Sequence, residues 1–176
     1  MADMKAARRE ITKARRAART QAKREFKLAP LSGVIRLAIA DLEAVENDKR
    51  YVVNMDQWHL PKGLSRLFGF FSEMQDAGAD CVVCFAGAVM AHRFGADRDL
   101  LVCPGNYEPA VRDRLQALNA VRYGDFEAAA DYMDLDVAAV RKAVGRINIP
   151  AYGPKTRSRF KIQLLNAAAR LEKAGL

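Results

Sequence analysis

The spacing most open to chemistry in this 176-residue chain is Cys81-x-x-Cys84, with His59, His92 and Cys103 as further donors. Structural zinc takes about four nitrogen or sulfur ligands in a tetrahedron, usually from two Cys-x-x-Cys units or from a Cys pair with a His pair. One pair alone is present here, and residues three apart inside an apolar run are also a common core pattern. Buried, inert cysteines are therefore the favoured reading, and no metal or other cofactor is called for. A helix opening at Cys81 would lower that thiol's pKa. On that ground a small enzyme or metal-binding protein using His59, Cys81 and Cys84 stands as a third functional class. Trp58 and His59, beside Pro61 on an expected loop, are the candidate ligand-contacting pair. No nucleophile or carboxylate stands at a diagnostic distance from His59. A glycine-rich phosphate loop, a Gly-x-Ser-x-Gly elbow and a His-Glu-x-x-His helix are all missing from the sequence. The balance points away from an enzyme.

The cations carry a stronger signal. Residues 1–27 hold ten of them, Lys5, Arg8, Arg9, Lys13, Arg15, Arg16, Arg19, Lys23, Arg24 and Lys27, against Asp3, Glu10 and Glu25. That stretch nets +7 of the chain's +8, so the rest of the protein is near neutral. Such asymmetry points to an arm that meets nucleic acid or an anionic surface. Cationic side chains on a helix match closely spaced phosphates through counterion release, with little preference for sequence. Non-specific nucleic acid is the expected partner. The alternative is a protein-interaction module, a virion component or a binder of a host or defence protein, using the arm and an apolar helix. A membrane partner is disfavoured, because the arm lacks the Trp, Phe and Leu that embed interfacial helices. A second basic group, Lys155, Arg157, Arg159 and Lys161, opens the last expected helix. Cations oppose the helix dipole there, and a bound anion would relieve the conflict. An exposed polar start is the plainer reading.

The elements that must position these residues are mostly helical. Residues 3–27 contain strong helix formers and no Gly or Pro, with a narrow, mostly alanine seam through Ile11, Ala14, Ala18 and Phe26. Leu28 to Gly33 reads as a hinge, giving a basic arm over 1–29 and a globular helical domain over 30–176. Ser32 is the expected cap of a helix to about Glu46, with Ile35, Ala38, Leu42 and Val45 inward. Arg50 to Met55 has strand-like content. Leu64, Leu67, Phe68, Phe71 and Met74 outline a third helix. Asp80 is the expected cap of a fourth, Cys81 to Phe94, apolar all round and so buried and central. Later helices start near Pro109, Asp125, Asp136 and Pro154, with Gly124 and Gly145 as stops. The fold class predicted is all-α, an irregular bundle of about seven helices behind a long basic helix, with at most one short strand.

The ordered blocks Ile39 to Glu46, Tyr51 to Pro61, Cys81 to Met90 and Ala117 to Gly124 carry a resemblance. Over roughly residues 34–124 the chain resembles a family of small uncharacterised proteins of tailed phages and prophages. The resemblance implies a phage setting and brings no activity, fold or catalytic residue with it. The basic arm and the Phe-rich insert between Pro61 and Cys81 stand outside the pattern. The cysteine count fits no secreted disulfide scaffold. Neither a bilayer-spanning run nor the h-region of a signal peptide is present. The location expected is cytoplasmic, the host cytoplasm for a phage protein, with the virion as a second place.

Overall fold

A computed structural model describes residues 2–65, 75 and 78–176, with side chains from Arg8 onward except that of Ser65. Of the expected third helix, Leu64 falls in a helical turn, Lys62–Ser65, and Leu67, Phe68, Phe71 and Met74 lie outside the described residues. What is described is mostly helical: α1 (Ala2–Leu28), α2 (Leu31–Glu46), a single turn α3 (Lys62–Ser65), α4 (Phe85–His92), α5 (Pro109–Val121), α6 (Phe126–Tyr132), α7 (Val137–Val144) and α8 (Arg157–Lys173). Three short strands accompany them, β1 (Tyr51–Val53), β2 (His59–Pro61) and β3 (Cys81–Val83).

The strands correct the all-α expectation of at most one strand. They form one sheet in the order β1-β3-β2, with β3 parallel to β1 and antiparallel to β2. The expected helix from Cys81 to Phe94 divides, its first residues becoming the central strand and Phe85–His92 the helix. A run that is apolar on all sides fits a buried strand as well as a buried helix, because periodicity cannot separate them. The paired Val82 and Val83 tip the choice toward strand. Cys84, not Asp80, caps α4, its Sγ accepting the Gly87 N–H at 3.3 Å. The expected loop at Trp58-His59 is likewise the start of β2.

Gly87 explains how strand and helix fit so tightly. A Cβ there would sit 1.6 Å from the Trp58 carbonyl oxygen, so only glycine admits this approach of backbone to helix. The same carbonyl accepts the Cys84 N–H at 3.4 Å.

Around this unit the helices pack on one core. α2 lies against both α4 and α8, and α5, α6 and α7 follow one another in a chain of contacts. Ile35, Ala38, Leu42 and Val45 are buried on α2 as their spacing predicts, while α2 begins at Leu31, ahead of the expected Ser32 cap. Leu115, Leu118 and Val121 of α5 and Phe160, Leu164 and Leu171 of α8 complete the interior. Asp125 caps α6 through the Ala128 N–H, and Asp136 caps α7 through Ala138 and Ala139. Gly124 and Gly145 take positive φ at the turns where the sequence places stops.

Candidate nucleic-acid interface

α1 runs unbroken for 27 residues, with every residue from Arg8 to Gln21 exposed. At about 100° per residue, the nine cations from Arg8 to Lys27 fall within about half of its circumference. Glu10, Glu25, Ile11, Ala14 and Ala18 occupy the other half. The helix is therefore polarised by charge as well as by apolarity. Lys5 belongs to the same helix, its side chain outside the described ones.

The end of α1 shows how it is held. Phe26, on the cationic half, is fully buried and meets Phe94 edge-on at 5.7 Å between centroids. Arg93 reaches up to donate to the Ala22 carbonyl at 3.3 Å, and Lys27 pairs with Glu108 at 2.9 Å. Lys23 sits over the Phe94 ring at 5.6 Å. The Arg19 guanidinium occupies the space over Gly95, where a Cβ would come within 1.0 Å of it. Lys23, Arg24 and Lys27 thus line a groove of about 460 Å³ with Phe94, Tyr107 and Val111. Tyr107's hydroxyl is pushed up to about 12 by burial, against the opposing field of Arg19.

Beyond Arg19 the helix leaves the body. Among the described residues Arg8, Arg9, Lys13, Arg15 and Arg16 have no ion-pair partner. These five cations lie over about 12 Å of helix. Toward the other side, Ile11 is 53 % exposed in the thin alanine seam.

The other candidate residues sit deeper. His59 is fully buried in β2, and its Nδ1–H donates to the Leu100 carbonyl at 3.2 Å. Cys81 Sγ lies 3.6 Å from the same ring. Burial holds the His59 pKa below its usual value despite the Leu100 hydrogen bond, which favours the proton. Burial also raises the Cys81 thiol to about 12 and pushes Cys84 upward. Neither thiol is a poised thiolate. Trp58 is half-buried and packs on the core, and Cys103 is exposed. His92 turns away from the cysteines and bonds Asp41 at 2.7 Å. Among the described residues no group of three metal-ligating side chains converges. No described helix is long and apolar enough to cross a membrane.

Sequence spacing missed Asp41 altogether. It is 1 % exposed, accepts Arg93 at 2.8 Å and holds His92, so it fixes the side chain that pins α1. Its signal was an aspartate in the apolar run of α2, where a charge needs a partner. Family models, curated proteins and solved structures give no match to this chain.

Proposed function

We propose that the protein binds nucleic acid through the cationic half of α1, without sequence preference and without catalysis. One observation carries this reading: the cations of a helix anchored by Phe26 share one half of its surface, and those from Arg8 to Arg16 are unpaired among the described residues. Phosphate contacts of this kind supply affinity and no base code. The anchoring turns at Phe26 hold the arm at a set angle to the body, so the body acts as a platform for it. On the resemblance of residues 34–124 we place this activity in a phage or prophage setting.

The test is removal of residues 1–18, which spares Phe26 and the groove beneath it. The full chain retards duplex DNA and RNA in a gel at low salt, and the shortened chain does not. Equal retardation by both chains overturns the proposal.

A further inference from the structure

A cavity of about 550 Å³ opens on the side of the body away from these anchoring contacts, where β1, the end of α5 and the start of α8 converge. Arg122, the residue that closes α5, lines it together with Arg157, the first residue of α8. The Arg122 Nη2 donates to the Tyr123 hydroxyl at 2.6 Å, and the Tyr123 ring lies on the guanidinium with its centroid 4.2 Å from Cζ. The Nε and Nη1 of Arg122 are buried and have no acceptor among the described residues. A guanidinium keeps its charge under all ordinary conditions. Buried donors on a charge are costly when left unmatched, so this side chain is set to receive an anion.

The opposite wall is built for the same charge. The backbone N–H groups of Thr156 and Arg157 both donate to the Gly153 carbonyl, at 3.0 and 2.8 Å, so Arg157 meets the cavity through its side chain. Arg157 stands over the Tyr152 ring at 5.7 Å, 3.5 Å from Glu46. Glu46 is shared with Lys161 at 3.0 Å and the Tyr152 hydroxyl, so it leaves Arg157 partly uncompensated. Among the described residues the one carboxylate lining the cavity is Asp56, which is exposed at its rim.

We propose that this cavity binds the phosphate group of a small organic phosphate, held between the guanidinium groups of Arg122 and Arg157. Its organic part rests against Tyr123 and Tyr152. Tyr123 is 64 % exposed, and its hydroxyl, bonded to Nη2, stands where a phosphate oxygen meets the guanidinium once the ring swings outward on binding. Two guanidinium forks, each able to bind oxyanions in bidentate fashion, suit the oxygens of a phosphate. The volume lies within the range of small-molecule sites. The site is separate from the arm and stands or falls without it.

The test uses the full chain with Arg8, Arg9, Lys13, Arg15 and Arg16 each changed to Glu, so that α1 does not compete for the probe. Inorganic phosphate and adenosine 5′-monophosphate are titrated to millimolar concentration, with potassium chloride at matched ionic strength as control. The readout is the ¹⁵N-resolved Arg122 Nε–H resonance, assigned by its loss in Arg122→Gln, together with the melting temperature. Both probes are expected to saturate, the nucleotide at lower concentration. Binding weakens by about tenfold or more in Arg122→Gln and in Arg157→Gln, in line with one lost charged hydrogen bond. Arg157 is a surface residue whose change leaves the fold intact. No saturable response to either probe, a response equalled by potassium chloride, or full binding in both variants overturns the proposal.

Discussion

Asp41 and Arg93 form the ion pair on which the base of the arm depends. Both are largely buried, the contact is 2.8 Å, and the same guanidinium bonds the Ala22 carbonyl. Removing one partner of a buried pair strands the other, at a cost of about 3–5 kcal/mol. Asp41→Ala is thus expected to lower the melting temperature by roughly 10 °C. A shift near zero in calorimetry would show the pair to be dispensable. His59 sets a pH dependence. Its folded pKa lies below the ordinary 6.5 because of burial, so the unfolded chain takes up the proton first as pH falls. Stability is then full above about pH 6.5 and declines as pH drops through the folded value. Urea midpoints between pH 7.5 and 5 are expected to fall for the wild type and to stay flatter for His59→Gln. The cysteines differ by burial in the same way. Cys103 is exposed while Cys81 and Cys84 are buried with raised thiols, so a thiol reagent labels one site quickly in the native protein and all three in denaturant.

At the scale of elements, the junction of β3 and α4 brings helix and strand-entry backbone into close contact at Gly87. Gly87→Ala would drive a methyl into the Trp58 carbonyl, and overpacking of this kind costs about 3 kcal/mol or more. Chemical denaturation reads that loss directly, and an unchanged midpoint would mean that the backbone yields at no cost. This junction also marks where the sequence stops being legible. The amphipathic helices α2, α5 and α8, and the turns at Asp125, Asp136, Gly124 and Gly145, follow from local pattern and capping chemistry. β3 and α4 do not, because Cys81 to Ala91 is buried on every side and carries no period. β2 was hidden for another reason. His59-Leu-Pro is three residues long and is a strand only through its pairing with β3. Nor does spacing along the chain show that Arg122 and Arg157 line one cavity, since they come from the end of α5 and the start of α8. The cationic arm was legible in full, except that Phe26, part of a thin seam in sequence, is a buried anchor.

For the whole molecule the proposed binding is electrostatic, with the cationic half of α1 meeting a polyanion while its last turns stay fixed to the body. Fluorescence anisotropy of labelled duplex DNA, followed as salt is raised, measures this most directly. Five phosphate contacts from Arg8, Arg9, Lys13, Arg15 and Arg16 predict a slope of log K against log salt of roughly −4. The variant with those five changed to Glu is predicted to lose binding at low salt and to keep its melting temperature, because none of them has a hydrogen bond into the core or an ion pair among the described residues. Binding by that variant as tight as the wild type's, with the same slope, would contradict the account.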